Sequence, residues 1–323
     1  MSASEAVTLG VPVYRGRDFV AETLTSIREQ THRDLSVVIS IDGPDPESEE
    51  ACSPFLEDPR FRMVVQPENL GWAQNISWLM DQVETPYWCY QQQDDLLDPR
   101  YLETLLDHAR TAPEASIVYC DIETFGHWEA TITQPSLTGT PFVRQLTQLV
   151  GRHAAVAFRG LTRLDALRAA GGVPTNEADC FSCDTAWVSA AARCGEHHRV
   201  PGSLYFKRYH PSSVHGGWSK WPGGRRAHAW MVHCADLLDQ AMSIDADQAE
   251  RRLLWAAAAE RVVSNRVCSG YLPDSSLTPV GREDLLESFL RYVHDERFPD
   301  LPRLLGARWR RIRRCARDVS LPR

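Results

Sequence analysis

No apolar run in this chain approaches the roughly 18 residues that a membrane-spanning helix requires, which argues against an integral membrane protein. The first six residues, Met1 to Ala6, are acidic and lack the basic patch and apolar stretch of a secretory leader, so a cytoplasmic protein is the expectation. Nine cysteines are scattered over 323 residues without the two C-x-x-C pairs of a zinc ribbon; Cys180 and Cys183 have that spacing alone. An odd number in a reducing compartment reads as free thiols rather than a disulfide framework. No internal repeat or low-complexity tract occurs. An excess of positive charge is also missing: 35 Lys and Arg against 43 Asp and Glu give a net charge of −8, which argues against a nucleic-acid binder held by phosphate contacts. What remains is 43% hydrophobic and 24% charged residues, the balance of a folded protein long enough for about two domains.

The charge is segregated. From Arg303 to Arg323 there are eight arginines and one acid, Asp318, so the last 21 residues carry +7 and the other 302 carry −15. Within that tail Arg308, Trp309, Arg311, Ile312 and Cys315 form a basic helical pattern with a modest apolar stripe. Such a pattern suits a contact with the acidic body or a protein partner, or a peripheral contact with the inner face of a membrane.

Val7, Leu9, Val11 and Val13 alternate as in a strand. Asp18 stands as a helix cap before Val20, Leu24 and Ile27, and a second apolar run, Leu35 to Ile41, stops at Asp42-Gly43-Pro44. Strand, helix and strand with so long a connection predict a parallel βαβ unit. The alternation continues with a strand at Phe61 to Val65, a helix from Gly71, an apolar strand at Tyr87 to Gln91, a helix from Tyr101 and a strand at Ser116 to Cys120. An open α/β sheet follows, and its ligands are expected at the carboxyl ends of the strands, where Tyr14, Asp42 and Asp94-Asp95 stand. Further on, Ala154 to Leu161 and Leu204 to Tyr209 read as strands, and Leu164 to Ala170 and Ala186 to Ala192 as helices. From Arg225 onward the pattern is helical, over Trp230 to Met242, Gln248 to Val267 and Glu283 to His294. Phe125 to Val150 and Ser212 to Gly224 read as loops, and Trp218 and Trp221 in the latter suit a sugar ring or a local hydrophobic anchor equally well.

Asp94 and Asp95 emerge from an apolar strand, with Asp98 close behind. Adjacent carboxylates repel unless a cation lies between them, and hard oxygen ligands suit Mg2+ or Mn2+, whose usual second partner is a diphosphate. The alternative is a solvated loop that caps the next helix.

Several segments in order resemble the inverting family 2 glycosyltransferases. Val7 to Gly43 is similar to the opening of their nucleotide-binding half, with Pro12-Val13-Tyr14 at the strand end and Asp42-Gly43 after the second strand. Asn69-Leu70-Gly71-Trp72-Ala73-Gln74-Asn75 resembles an Asn-x-Gly-x-x-x-Asn segment, and Gln92-Gln93-Asp94-Asp95 falls where the family places its Asp-X-Asp metal motif. Gly171-Gly172, Cys183-Asp184-Thr185 and Tyr205 to His210 resemble its Gly-Gly turn, its Glu-Asp base motif and its Tyr-Arg-x-His segment. The likeness covers about residues 7 to 215.

The resemblance implies a GT-A-type, Rossmann-like open sheet with a helical C-terminal extension. The glycosyltransferase domain would span residues 1–224, with a nucleotide-binding half (1–122) and an acceptor half (123–224), followed by the extension at 225–323. It implies transfer from a UDP, dTDP or GDP sugar to a glycan, lipid-linked or small-molecule hydroxyl, with Mn2+ or Mg2+ as cofactor. Asp184 would be the catalytic base, Asp94 and His210 metal ligands, and Pro12, Tyr14, Asp42, Gln92, Asp95 and Arg208 donor contacts, with Lys207 an alternative to Arg208 near the phosphates. Other readings of the same residues are a turn role for Asp42, a helix cap for Asp184 with Glu177 or Asp179 as base, and a backbone-bonded His210. Asn69 and Asn75 are expected to fix the loop and cap its helix.

Two positions depart from the family pattern. Gln92 replaces the first acid of the metal motif, and Cys183 replaces the Glu beside the base. They motivate a rival reading, a noncatalytic sugar-nucleotide sensor or assembly subunit. A sugar-1-phosphate nucleotidyltransferase is the second rival, but Gly10 to Arg17 lacks a convincing Gly-rich, basic phosphate loop.

Overall fold

The computed structural model describes residues 5–151, 155–210, 217–218, 220–264 and 272–298. Strand β1 (Val7–Val13) is buried along its whole length because it lies between β2 (Leu35–Ile41) and β4 (Tyr87–Tyr90), both parallel to it. Strand β3 (Phe61–Val65) extends the parallel set beyond β2. Strands β5 (Leu96–Leu97), β6 (Ala115–Gly126), β7 (Ala130–Ile132), β8 (Leu161–Arg163) and β9 (Glu196–Tyr209) complete the sheet in the order β3-β2-β1-β4-β8-β6-β9-β5, with β7 on β6. Strand β8 runs antiparallel to β4 and to β6, while β9 pairs parallel with β6, so β6 and β9 run in the direction of β1. The expected open α/β sheet is thus present, with uninterrupted parallel registers among β1 to β4 and a longer, bulged one between β6 and β9.

Close packing over β1 depends on a missing side chain. Gly10 faces the indole of Trp88, and a Cβ at position 10 would fall inside that ring, which is itself buried. Gly10→Ala is therefore expected to cost about 1–3 kcal/mol through overpacking, read as a lower urea midpoint with an unchanged slope.

Four helices accompany the first half: α1 (Val20–Arg28), α2 (Pro46–Cys52), α3 (Trp72–Asp81) and α4 (Tyr101–Thr111). Asp18 does not cap α1; Phe19 occupies the cap position without a side-chain bond, because a turn closed by the Gly16 carbonyl leads into the helix. The segment expected to be an extended strand from Ala154 to Leu161 is instead a 3-10 turn at Ala155–Arg159 followed by the three residues of β8. The Phe125 to Val150 region holds more than a loop, namely the end of β6, β7 and α5 (Pro141–Val150) with Pro at its first position. Helix α6 (Leu164–Ala170) ends at Gly171, whose φ of +76° is open to glycine at no steric cost. Helix α7 (Cys183–Cys194) follows, and its Trp187 Nε1 donates to the Gly171 carbonyl at 2.8 Å.

Packing groups the chain differently from a linear division at residue 224. One compact unit comprises Met1–Pro141, His153–Thr175 and Cys183–Ser213; the other comprises Phe142–Arg152, Asn176–Ser182 and Val214–Arg323. The second unit is built on α8 (Gly223–Met242), α9 (Gln248–Val263) and α10 (Pro279–Tyr292), with Trp230, Leu237, Leu238, Trp255 and Phe289 in its core. Buried Arg261 donates from Nη1 to the carbonyls of Gln148, Leu149 and Gly151, which ties the end of α5 into this unit. Trp218 and Trp221 pack on Phe181, with ring centroids 4.7 and 6.2 Å away, so they serve as a local hydrophobic anchor. The arginine-rich tail lies outside the described residues, as does much of Ser212 to Gly224. Seven cysteines among the described residues are free thiols. No helix among the described residues is long and apolar enough to cross a membrane.

Candidate active site

The residues that follow β1, β2 and β4 gather at the carboxyl ends of those strands. Past Pro12, buried within β1, Tyr14 is half-exposed, and its backbone N–H donates to Gln93 Oε1 at 2.8 Å while Gln93 Nε2 returns a bond to its carbonyl. This double bridge fixes the end of β1 to the loop carrying the acidic pair. Thr23 in α1 binds the same loop through the carbonyls of Gln93 and Asp95.

Asp42 is buried, and its carboxylate accepts from the backbone amides of Leu70 (2.6 Å) and Gly71 (3.1 Å) just ahead of α3. Asn75 binds Ser40 through both ends of its amide, and Asn69 donates to the Asp42 carbonyl. The three residues thus hold the β2 end, the connecting loop and α3 as one piece. A turn role for Asp42 is physically present, and each of its oxygens retains a second lone pair.

Asp94 and Asp95 have different surroundings. Asp94 Oδ2 receives a bond from His210 Nε2 at 2.8 Å, and its Oδ1 is buried with no partner among the described residues. Asp95 is fully buried; Tyr205 donates its hydroxyl to Oδ2 (2.8 Å), the Arg208 amide donates to Oδ1 (2.9 Å), and Arg159 Nε lies 3.6 Å away. Burial pushes the Asp95 carboxyl up to about 6 against the pull of Arg159, with the Asp94 charge adding to the rise. For Arg159 burial opposes the charge, yet Tyr205 and Asp95 outweigh it and hold the guanidinium above its ordinary range.

The two basic residues near the end of β9 divide their tasks. Arg208 donates to the Asp94 carbonyl and to Glu22, and its guanidinium lies over the rings of Phe19 and Phe125. Lys207 instead feels Arg159, Asp95, Asp184 and Asp94, and burial followed by Arg159 pulls its ammonium down to about 8. Asp184 lies in the first turn of α7, where Oδ1 accepts from the Thr185 amide at 2.8 Å, and no hydrogen bond reaches Oδ2 among the described residues. Its charge favours the cationic forms of both Arg159 and Lys207. The alternative bases have partners of their own in the second unit: Glu177 is 3.5 Å from His228, and Asp179 pairs with Arg225. Gln92 is half-buried, and its side chain forms no hydrogen bond among the described residues.

Asp94, Asp95, Asp184, Lys207, Arg208 and His210 are thereby brought into one neighbourhood of the first unit. Arg159 and Tyr205 belong to it as well. Arg159 did not stand out in the sequence as part of a site, since it lies in the Ala154 to Leu161 stretch that reads as an ordinary strand, whereas Tyr205 opens the segment that resembles the Tyr-Arg-x-His motif. Two protein groups, Asp94 and His210, fit a divalent cation, because an orphaned buried carboxylate oxygen stands beside an imidazole nitrogen. Asp95, by contrast, has each of its oxygens engaged by a protein donor.

An open α/β sheet with acids and bases at its carboxyl ends is the GT-A arrangement, and the comparison with known proteins carries the class further. Residues 8–168 match the family model Glycosyl transferase family 2, and the chain belongs to that family through this segment. Asp184, Lys207, Arg208 and His210 fall beyond it. Over 105 residues, 32% of this chain, the sequence is 28% identical to Glycosyltransferase GlyA of Streptococcus pneumoniae serotype 4, of whose length it spans 15%. The fold resembles S. aureus TarS 1–349 in complex with UDP-GlcNAc, with a TM-score of 0.67 and 15% identity over 98% of this chain and 93% of that one. The mannosyltransferase PcManGT from Pyrobaculum calidifontis, in complex with GDP-Man and Mn2+, superposes with a TM-score of 0.53 and 16% identity over 91% of this chain and 90% of its own.

Proposed function

We propose that this protein is a metal-dependent inverting glycosyltransferase that moves a sugar from a nucleotide-sugar donor to a hydroxyl of a glycan, a lipid-linked intermediate or a small natural product. The observation that carries the reading is Asp184, a carboxylate with one uncommitted oxygen beside two cationic side chains and the Asp94–His210 pair. Inverting transfer needs a base on the acceptor side and positive charge on the leaving-group side. Asp184 Oδ2 takes the acceptor proton. Lys207, with Arg159 behind it, faces the leaving diphosphate. Tyr14 and Pro12 line the nucleobase side, where Asp42 has a lone pair to offer. Gln92 offers a neutral oxygen to the ribose or the cation. Asp95 acts through the protein: by gripping Tyr205 and the Arg208 amide it holds the end of β9, and with it Lys207 and His210, in place. Arg208 secures the same loop from outside rather than reaching the phosphates. Asp94 and His210 would hold a divalent cation, which when bound supplies charge neutralisation for the departing diphosphate.

TarS bound to UDP-GlcNAc and PcManGT bound to GDP-Man make those two donors the first to test. Release of UDP or GDP that requires Mn2+ or Mg2+ and disappears on chelation is the expected result. Donor binding without turnover, with every acceptor class supplied, would favour the sensor reading that Gln92 and Cys183 motivate.

Lys207 gives this reading a pH signature. Its folded-state pKa is lowered to about 8, so the ammonium is charged below that pH and neutral above it. Affinity for a free nucleoside diphosphate is therefore expected to fall about tenfold as pH rises from 7 to 9, the loss of one charge-assisted hydrogen bond. In Lys207→Arg, which stays charged, the fall should vanish. Titration calorimetry at the two pH values checks both statements.

A further inference from the structure

At the opposite ends of the same strands lies a second cluster that sugar transfer does not use. Glu114 immediately precedes β6, Glu196 opens β9, and His198 follows two residues later. The Glu196 amide donates to the Glu114 carbonyl at 3.0 Å, and Gly195 permits the approach, since a Cβ there would lie 2.8 Å from that carbonyl oxygen. His198 Nε2 is 2.9 Å from Glu196 Oε2 and 3.9 Å from Glu114 Oε1, and ligand atoms of all three residues lie within 4.8 Å of one another. From His198 to His210 the chain runs about 40 Å along β9 at roughly 3.3 Å per residue, so this cluster is remote from Asp94.

We propose that Glu114, Glu196 and His198 form a binding site for Zn2+ that ties the amino ends of β6 and β9 together. One imidazole nitrogen and two carboxylate oxygens are a donor set zinc accepts, with water as the fourth ligand. Tetrahedral bonds of about 2.0–2.1 Å separate ligand atoms by about 3.3 Å, so the Glu196–His198 pair opens by a few tenths of an ångström while Glu114 closes. Glu196 and His198 are already oriented. The Gly139 amide donates to Glu196 Oε1 at 2.8 Å, and His108 Nε2 from α4 stands 3.2 Å from His198 Nδ1. Without an ion, the short contact to Glu196 places the His198 proton on Nε2, and Nδ1 accepts from His108. With zinc on Nε2 the proton sits on Nδ1 and is donated to His108, whose Nε2 becomes the acceptor. His108 is thus a positioning residue of the kind that orients metal-bound imidazoles.

Titration of the full chain with Zn2+, followed by calorimetry and thermal unfolding, tests the site. Glu114 is exposed, so Glu114→Ala keeps the fold whatever happens to His198 variants. The expected result is a zinc-dependent rise of several degrees in the unfolding midpoint at about 100 times Kd, with binding at least tenfold weaker in Glu114→Ala and His198→Gln, and about tenfold weaker in His108→Asn. In wild-type protein loaded with Co2+, an absorption band of four-coordinate geometry should appear and be lost in Glu114→Ala. Equal zinc affinity and equal midpoint shifts in the wild type and Glu114→Ala overturn the proposal, because any binding must then lie at other residues.

Discussion

Asp184→Asn is expected to lower the rate of sugar transfer by about 10²- to 10⁴-fold, the usual contribution of a positioned general base, while nucleotide-donor affinity changes by less than about threefold. The substitution is suited to the question because the Asn side-chain oxygen can still accept from the Thr185 amide and hydroxyl, the hydrogen bonds to Asp184 at the start of α7. What Asn loses is the proton-accepting power of the second oxygen. A drop in kcat with an unchanged unfolding midpoint identifies chemistry rather than folding as the cause. Activity within tenfold of wild type would remove Asp184 from the mechanism and direct attention to Glu177 and Asp179, despite their pairing with His228 and Arg225. The assignment matters because the matched family segment ends at residue 168, so Asp184 rests on the geometry around it.

The second large effect concerns stability. Asp95→Ala is expected to destabilise the protein by about 3–5 kcal/mol, because it removes one partner of a buried charge pair and leaves the other without compensation. Arg159 would keep its charge in a buried setting, and both the Tyr205 hydroxyl and the Arg208 amide would lose their acceptor. Chemical denaturation is the measurement, with a lowered midpoint as the reading. Arg159→Met in the Asp95→Ala background should recover a substantial part of the loss, since the uncompensated guanidinium is then gone. If the double variant is no more stable than Asp95→Ala alone, the destabilisation comes from the Tyr205 and Arg208 hydrogen bonds and not from the charge. In either case the end of β9 loosens, so donor affinity is expected to fall together with stability. Asp184→Asn should separate the two.

Much of the first half of the molecule could be read before any coordinates. The alternation in Val7 to Val13 and the apolar run from Leu35 to Ile41 are strong signals because both strands are buried on both faces and their neighbours are parallel. The Leu164 to Ala170 helix was legible to the residue, since Gly171 and Gly172 end it sharply. Helix α5 was not read, although Phe142, Leu146 and Leu149 have helical spacing, because the segment sits between two irregular stretches and its apolar face is covered in a unit assembled from three separate pieces of chain. Strand β9 is 14 residues long, but only its last six carried an apolar pattern; the rest is held by pairing with β6, a contact between residues about 80 apart.

For the site the same division holds. Sequence by itself singled out Tyr14, Asp42, Asp94 and Asp95 as candidates at the strand ends, because strand termini and turns are marked by local patterns of two to seven residues, and Asp184, at the start of α7, through the family resemblance. It also determined the family. Only tertiary structure decided what those residues touch: that Asp42 holds the Leu70 and Gly71 amides, that Asp95 is enclosed by Tyr205, Arg208 and Arg159 while Asp94 keeps an oxygen without a partner among the described residues, and that the Arg208 guanidinium is committed to Glu22 and the Asp94 carbonyl. The physical reason is range. Hydrophobic periodicity and turn chemistry act between near neighbours in the chain, whereas desolvation and Coulomb interaction act through space among groups that folding alone brings together.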